Sequence, residues 1–182
     1  EKMKEIMEWV KDILLAVVIA AVILAFFKPI IVQQQSMEPN FHAGDYLITS
    51  RQAYRLFGDP QRGDVIVFKS ELLDENEKPK NLIKRIIALP GETIEIKGGE
   101  VYIDGAQLRE DYLPGEAISG EMDAVTVPEG QLFVMGDNRE CSEDSRSPRV
   151  GTIEQSTIVG KVIVRLYPFN TIKTFKGVDY ES

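Results

Sequence analysis

The sequence predicts a mainly β fold, an antiparallel β-sheet domain with a single N-terminal transmembrane helix. Residues 13–27 form an unbroken apolar run, and residues 45–167 contain short apolar stretches separated by turn residues. After the apolar run no helical period of useful length occurs. A chain of 182 residues has room for one ordinary domain and a small appendage.

The N-terminal apolar run, "ILLAVVIAAVILAFF", is the first predicted element. As a helix it would be about 22 Å long, which is short of the ~30 Å hydrocarbon core of a bilayer. Trp9 and Val10 before it and residues 30–32 after it extend the apolar length. Pro29 disfavours helix at the residue before it. We therefore expect residues 1–29 to form a cytoplasmic flank and a membrane anchor.

Charge around the apolar run predicts its orientation. Lys2, Lys4 and Lys11 precede the run, whereas Lys28 is the one basic residue beyond it before Arg51. The positive-inside rule then leaves the N-terminus in the cytoplasm and the rest of the chain outside. Two alternatives stay open, a cleaved signal peptide and a buried soluble helix. The run lacks the amphipathic stripe that is typical of a helix packed on a soluble domain.

The remaining residues, 30–182, are predicted to form one β domain. Gly98-Gly99 and Asp104-Gly105 are hairpin turn signals, so residues 92–109 are predicted to form a meander. Residues 97–126 are expected to be a β-hairpin or flap-like insertion in the domain. The polar, charged segments 69–80 and 109–124 are expected to be exposed loops or a flap. The predicted strands are residues 45–50, 64–68, 81–89, 92–96, 100–104, 131–135 and 156–167.

Composition excludes several classes of function. The chain has 21 Lys+Arg against 29 Asp+Glu and a net charge of −8, which argues against a nucleic-acid partner. Cys141 is the only cysteine, which excludes an internal disulfide framework and a zinc cluster. His42 is the only histidine, so a histidine-based metal site or a Ser-His-Asp triad is hard to assemble. We expect no metal and no cofactor.

A serine follows the apolar run in "KPIIVQQQSMEPNFH". If residues 30–36 are extended, Ser36 lies at the end of a strand and Pro39 fixes a turn after it. A serine nucleophile needs a base, for which His42 and Lys84 are candidates. Burial in the apolar stretch "NLIKRIIAL" would make Lys84 a base, whereas a solvated strand edge would leave it charged.

The third polar segment is "FVMGDNRECSEDSR", residues 133–146. Asp137, Arg139, Asp144 and Arg146 could pair into a charge-assisted network that makes the loop rigid. The alternative is an Asx-turn followed by a solvated acidic loop.

Taken together and in this order, four segments resemble the signature boxes of bacterial type I signal peptidases. They are "SMEP" (36–39), "RGDVIVF" (62–68), "KRIIALPGE" (84–92) and "GDNRECSEDSR" (136–146). The resemblance extends from the apolar run to about residue 168.

This resemblance implies roles for individual residues. Ser36 would be the nucleophile and Lys84 the general base of a Ser-Lys dyad. Ser142 would orient the lysine, and the Ser36 N–H would be one oxyanion donor. The second donor position is Gln34, where the family usually has Gly or Ser. The residues that would support the site structurally are Asp137, Asp144 and Arg146.

The resemblance also implies the substrate and the location. The chain would be a single-pass protein of the bacterial plasma membrane, with its catalytic domain on the extracytoplasmic face. Its partners would be the lipid bilayer and preprotein signal peptides, which it would cleave after an Ala-x-Ala-like site. A signal peptide would bind as an extended guest strand. The side chains expected to line the pockets are Ile30, Val32, Met37, Phe41, Leu82 and Ile83.

Two other classes of protein remain to be distinguished from this one. An autoproteolytic repressor-type peptidase shares the Ser-Lys chemistry, but it would be soluble and would carry a DNA-binding domain. An inactive membrane-anchored β-domain scaffold or interaction module would have the same fold without the chemistry.

Overall fold

The computed structural model describes residues 2–56, 58–113, 115 and 119–175. The elements in these ranges confirm a mainly β fold behind one long N-terminal helix. In chain order they are α1 Lys2–Phe26, β1 Phe27–Ile31, β2 Tyr46–Ser50, α2 Ala53–Leu56, β3 Val65–Leu73, β4 Pro79–Ala88, β5 Thr93–Lys97, β6 Glu100–Ile103, β7 Ala106–Gln107, β8 Met122–Thr126, β9 Gln131–Met135, β10 Ile153–Glu154, β11 Ile158–Tyr167 and β12 Lys173–Thr174.

Helix α1 contains the predicted apolar run except for its last residue, Phe27, and buries none of its residues against the domain. It is long and apolar enough to cross a membrane. The helix ends at Phe26, three residues before Pro29, and strand β1 begins directly afterwards. Strand β1 pairs with β2, from Phe27 opposite Ser50 to Ile31 opposite Tyr46. The helix therefore leads directly into the β domain without a linker.

The larger sheet is antiparallel throughout and carries the segments that hold the candidate site. Its strand order is β1-β2-β11-β3-β4-β9-β10, with β12 paired to β11. Strand β4 lies between β3 and β9 and is hydrogen-bonded on both sides. This position buries most of the side chains on the second half of β4, including Lys84.

The second sheet has the order β7-β6-β5-β8 and contains the predicted hairpins. Gly98-Gly99 connects β5 to β6, and Asp104-Gly105 connects β6 to β7. All four turn residues have positive φ, as a two-residue turn between right-twisted strands requires. The sheet begins at Thr93, four residues before the expected start of the insertion, because β5 pairs with β6 rather than with the larger sheet.

The predicted loop 69–80 is mostly strand. Strand β3 continues to Leu73 and β4 starts at Pro79, with Leu73 opposite Pro79. The Ser70 hydroxyl donates to the carbonyl of Lys80 at 2.9 Å, which links the two strands beyond the last apolar pair. Most residues of this two-stranded ribbon are polar, so the alternation with apolar residues that predicts a strand is missing from the sequence.

Three clusters of buried side chains form the core. The first joins the two sheets, the second lies under the segment that follows β1, and the third lies around β3, β4 and β9. The first includes Ile87, Ile94, Val101 and Phe133; the second includes Val32, Met37, Phe41 and Val67; the third includes Ile66, Phe68, Leu82 and Leu132.

Candidate active site

Ser36 lies in the loop between β1 and β2 and not on an extended strand. The base of this loop is closed by Val32 N–H bonding to the Asp45 carbonyl at 3.0 Å and Gly44 N–H bonding to the Val32 carbonyl at 2.8 Å. Met37 and Phe41 are fully buried beneath the loop. The apolar anchors next to Ser36 thus hold it, half-buried, at the surface of the domain.

Lys84 meets Ser36 although 48 positions separate them in the sequence. The Nζ of Lys84 lies 2.7 Å from the Oγ of Ser36. The Lys84 residue is 1% exposed, so the alternative of a solvated strand edge is wrong. Burial lowers the pKa of Lys84 from 10.5 to about 8, while the charge of Asp144 opposes this shift. A substantial fraction of the amine is therefore neutral near pH 8 and can accept the hydroxyl proton of Ser36.

The segment after β9 binds the backbone of the loop between β1 and β2, which is called the nucleophile loop below because it carries the candidate nucleophile Ser36. Asn138 N–H donates to the Ser36 carbonyl at 3.0 Å, and the Asn138 side-chain amide donates to the Gln35 carbonyl at 3.2 Å. Gly136 lies directly against the same loop, since a Cβ built on it would be 2.4 Å from the Ser36 carbonyl oxygen. Only a residue without a side chain fits there.

Ser142 also contacts this glycine. A Cβ on Gly136 would lie 2.3 Å from the Ser142 Oγ. That Oγ is buried and has no well-formed hydrogen bond in the described part of the chain, although Ser142 contributes to the low pKa of Asp144. The bond from Lys84 to Ser142 that the resemblance implies is therefore not formed in this structure. The orienting role of Ser142 stays a prediction.

Asp144 and Arg146 form one of the expected ion pairs. Arg146 Nε lies 2.8 Å from Asp144 Oδ1, and its Nη2 lies 2.9 Å from Oδ2. Gly136 N–H also donates to Asp144 Oδ2 at 2.9 Å. Burial would raise the pKa of Asp144, but the Arg146 guanidinium and the Gly136 N–H hold that pKa below its usual range. Asp144 therefore connects Arg146, at the end of the segment, to the backbone of Gly136, near its start.

The other two charged residues of the segment find partners outside it, so the expected network is not closed within the loop. Asp137 accepts two bonds from the Arg85 guanidinium, at 2.8 and 2.7 Å, and both side chains are buried. Arg139 pairs with Glu110 at 2.5 Å. These pairs join the segment to Arg85, the residue after the candidate base, and to the loop of the second sheet that contains Glu110. The solvated acidic loop of the alternative interpretation is not observed.

A cleft of about 710 Å³ begins at Ser36 and extends along β1 towards the turn between β3 and β4. Four of the six expected pocket residues line it, Ile30, Val32, Met37 and Ile83. The other two do not, which corrects the expectation. Phe41 is buried in the cluster under the nucleophile loop. Leu82 packs in a different cluster from its neighbour Ile83, because successive side chains on a strand point to opposite faces.

Gln34 and His42 are both exposed, on opposite sides of the serine in sequence. Gln34 lines the cleft together with Ser36. Its side chain makes no hydrogen bond within the residues that the structure describes, so its amide is not fixed as a donor. His42 is not among the residues that line the cleft, and its backbone N–H binds Asp45 at 3.0 Å. The lysine, not the histidine, contacts the serine.

Four residues that contact the site's supporting groups were not identified from the sequence. Arg85 lies beside the candidate base but cannot deprotonate in a protein, and Asn40 stands where the family pattern commonly has Thr, so neither was assigned a role. Glu110 and Tyr112 belong to the segment 109–124, which was expected to be an exposed loop or a flap and to which no role was assigned. These residues are linked by ion pairs between buried arginines and acids far away in sequence. The alternation of residues within one strand does not reveal such pairs.

Comparison with known proteins gives concordant matches. A family model described as signal peptidase, peptidase S26, matches residues 6–167. Signal peptidase I of Bacillus licheniformis is 38% identical over 182 residues, which cover 94% of each chain. Probable signal peptidase I-1 of Synechocystis is 40% identical over 86% of this chain and 80% of its own. Signal peptidase I T of Bacillus subtilis is 34% identical over 97% of this chain and 93% of its own.

Proposed function

The chain belongs to the signal peptidase family, peptidase S26, and is a serine endopeptidase; from this premise we propose that it removes signal peptides from preproteins with a dyad of Ser36 and Lys84. The observation that carries the proposal is the 2.7 Å contact between Lys84 Nζ and Ser36 Oγ at a buried lysine. This distance allows direct proton transfer between the two groups.

In the proposed reaction, Lys84 Nζ takes the proton of the Ser36 hydroxyl while Oγ attacks the scissile carbonyl carbon. The ammonium of Lys84 then protonates the leaving amine as the peptide C–N bond breaks, which leaves an acyl ester on Ser36. A water molecule loses a proton to Lys84 and hydrolyses the ester, and the proton returns to Ser36. The low pKa of Lys84 supports both directions of transfer.

The oxyanion of the tetrahedral intermediate needs donors near Ser36. We assign one to the Ser36 backbone N–H and the second to the side-chain amide of Gln34. Asn138 supports this geometry, because its N–H holds the Ser36 carbonyl on the other side of the same residue. Gln34 must adopt a fixed rotamer when substrate is bound, since its side chain is exposed in the free protein.

The substrate is proposed to lie extended in the cleft along β1, which is an edge strand with an open backbone. Ile30, Val32, Met37 and Ile83 present apolar walls there. Shallow apolar walls accept small side chains and exclude larger ones by steric clash, which agrees with cleavage after an Ala-x-Ala-like sequence.

We further propose that α1 anchors the enzyme in the bacterial plasma membrane, with the β domain on the extracytoplasmic side. The helix exposes all its apolar residues, and β1 follows it directly, so the cleft starts close to the membrane end of the chain. A signal peptide held in the same bilayer would present its cleavage site at that level.

The orientation has a direct test, because Cys141 is the only cysteine and is exposed. A membrane-impermeant maleimide should label intact protoplasts that carry the wild type, and the Cys141→Ser variant should stay unlabelled. Labelling that requires lysis would contradict the proposed orientation.

Preprotein cleavage tests the dyad. Detergent-solubilised wild type should release the mature protein, whereas Ser36→Ala and Lys84→Ala should not. Exposed residues of the same types, in Ser156→Ala and Lys69→Ala, serve as matched controls and should cleave normally. Equal processing by Lys84→Ala would exclude the dyad, and loss in His42→Ala would restore a histidine base. Failure of the wild type would leave the anchored scaffold as the better description.

A further inference from the structure

A segment of the second sheet's loop, Glu110 to Tyr112, touches groups adjacent to both members of the proposed dyad. The Tyr112 ring lies under the Arg85 guanidinium, with 4.0 Å between the guanidinium carbon and the ring centroid. The Tyr112 carbonyl accepts a hydrogen bond of 2.8 Å from the Asn40 side-chain amide. Arg85 follows Lys84 on β4, and Asn40 belongs to the loop that carries Ser36.

The position of Tyr112 is fixed from the other side by Arg139. Both Nη atoms of this arginine bind Glu110, at 2.8 and 2.5 Å, and its side chain is only 2% exposed. The Tyr112 hydroxyl donates to Glu110 and accepts from Arg139 at 3.2 Å. Arg139 Nε in turn donates to the Gly136 carbonyl at 3.1 Å. The segment is thus tied to the backbone that packs against the nucleophile loop.

Asp137 makes a second connection between the same two residues. Its Oδ2 accepts from Asn40 at 2.9 Å and from Arg85 at 2.7 Å. Tyr112 and Asp137 therefore form two parallel bridges from Asn40 to Arg85. The Asp137 bridge combines a hydrogen bond from Asn40 with the ion pair to Arg85, and the Tyr112 bridge combines a backbone hydrogen bond with a cation–π contact.

We propose that Tyr112 is a positioning residue that sets the distance between Ser36 and Lys84 by holding Asn40 and Arg85 in fixed relative positions. The inference rests on the proposed function of the dyad. Tyr112 acts through its neighbours and not on the substrate, because it does not line the cleft. A loop 72 positions after Asn40 is thereby part of the catalytic geometry.

The physical reason is the sensitivity of proton transfer to distance. A displacement of about 1 Å in a reacting pair can cost on the order of 10²-fold in rate. Without the ring, Arg85 keeps its bonds to Asp137 and to the Gly63 carbonyl but loses the contact that connects it to Asn40 through Tyr112. The relative position of Ser36 and Lys84 is then constrained by one bridge fewer.

The decisive comparison is Tyr112→Leu against Tyr102→Leu in full-length, detergent-solubilised enzyme. Tyr102 is a half-buried tyrosine of β6, in the same sheet, and its variant controls for loss of an aromatic ring there. With Tyr112→Leu we expect kcat per active site to fall about tenfold while KM changes less than about twofold. Tyr112→Phe keeps the ring and the carbonyl, and it should recover kcat to within about threefold of wild type.

A pH profile separates positioning from a loss of stability. The groups whose charges act on Lys84 are Asp144, Arg146, Asp137 and Glu143. A lysine that moves away from Ser36 regains water, so in Tyr112→Leu the acid limb should move upward from about 8 towards 10.5. The proposal would be overturned if the acid limb did not move and a lower number of functional active sites accounted for the lost rate. Equal effects of Tyr112→Leu and Tyr102→Leu would also overturn it.

Asn40→Asp provides a second route if Tyr112→Leu does not fold. It replaces the donor with an acid that faces Asp137 and the Tyr112 carbonyl, so kcat should fall by at least tenfold with the same upward shift of the acid limb. Asn170→Asp, at an exposed position, is its matched control. If Ser36→Ala abolishes cleavage while Asn40→Asp behaves like Asn170→Asp, the dyad stands and the positioning role fails.

Discussion

The Nζ of Lys84 lies 2.7 Å from the Oγ of Ser36 although the two residues belong to a central strand and to a loop after the edge strand. Neither segment alone can produce this contact. Strand β4 supplies burial, and the buried Met37 and Phe41 hold the loop. Gly136 and Asn138 bring the loop carbonyl of Ser36 against the segment after β9. The site is therefore formed by three segments: β4, the loop after β1 and the segment after β9.

The first prediction concerns the pH dependence of cleavage. Only neutral Lys84 can accept the Ser36 proton, and burial lowers its pKa to about 8. Activity should therefore rise with pH through an apparent pKa near 8 and fall about tenfold per pH unit below it. Measuring kcat/KM from pH 6 to 10 checks this. A limb at about 10.4 would show that the lysine is solvated in the working enzyme.

The same burial predicts a cost in stability. The folded-state pKa of Lys84, about 8, lies below its unfolded value of 10.5. The folded state therefore resists protonation, and stability rises with pH between these values. Each pH unit between them corresponds to about 1.4 kcal/mol, so the buried charge costs about 3 kcal/mol at pH 6. Lys84→Met should be more stable than wild type at pH 6, and the difference should shrink above pH 8.

Calorimetric unfolding of the detergent-solubilised proteins at pH 6 and pH 10 measures this difference. Lys69→Met, at an exposed position of β3, should show no comparable dependence on pH. A Lys84→Met protein that is no more stable than wild type at pH 6 would mean that nearby acids fully compensate the buried charge. The lysine would then be retained for reasons of structure as well as of chemistry.

Much of the fold could be predicted because its signals are local. The apolar run predicts α1, and the turn pairs Gly98-Gly99 and Asp104-Gly105 predict the hairpins that the structure contains. The ribbon beyond Ser70 could not be predicted, since most of its residues are polar and its two leucines, Leu72 and Leu73, are adjacent and give no alternating pattern. Its stability comes from backbone pairing with the opposite strand, which is not a property of either segment alone.

Less of the site than of the fold could be predicted from the sequence. Ser36 and Lys84 stood out through resemblance, because single residues in a turn and a strand carry little information. The bridges from Arg85 to Asp137 and from Arg139 to Glu110 join residues 52 and 29 positions apart, and no periodic pattern links them. Leu82 was assigned to the cleft although alternation sends it and Ile83 to different clusters.

Gly136→Ala should abolish cleavage. The added Cβ would lie 2.3 Å from Ser142 Oγ and 2.4 Å from the Ser36 carbonyl oxygen, and the second atom is backbone of the nucleophile loop. The loop must therefore shift, and kcat should fall by at least about 10²-fold. Gly160→Ala is the matched control, since its Cβ would lie 2.9 Å from the Ser50 carbonyl oxygen, which belongs to β2 and not to the loop that carries Ser36.

Both variants should be less stable, which thermal unfolding will record, but only Gly136→Ala should lose activity per folded molecule. Similar specific activities of the two variants would mean that the nucleophile loop adapts to the extra methyl group. The close packing of Gly136 would then serve stability alone.

The final prediction concerns Gln34. A preorganised oxyanion donor is worth about 10²–10³ in kcat. Gln34 is exposed and its amide has no hydrogen bond in the described part of the chain, so it must be ordered by the substrate at an entropic cost. We therefore expect Gln34→Ala to lower kcat by about tenfold, less than a fixed donor would, with little change in KM.

Single-turnover rates of Gln34→Ala, Gln34→Ser and Gln33→Ala make the test specific. Gln33 lines the same cleft, and its variant reports what loss of a glutamine contact there costs without loss of the proposed donor. Gln34→Ser introduces a shorter hydroxyl donor with fewer rotamers, so it should match or exceed the wild-type rate. An unchanged rate in Gln34→Ala would remove the side chain from the oxyanion site and leave the Ser36 N–H as the assigned donor.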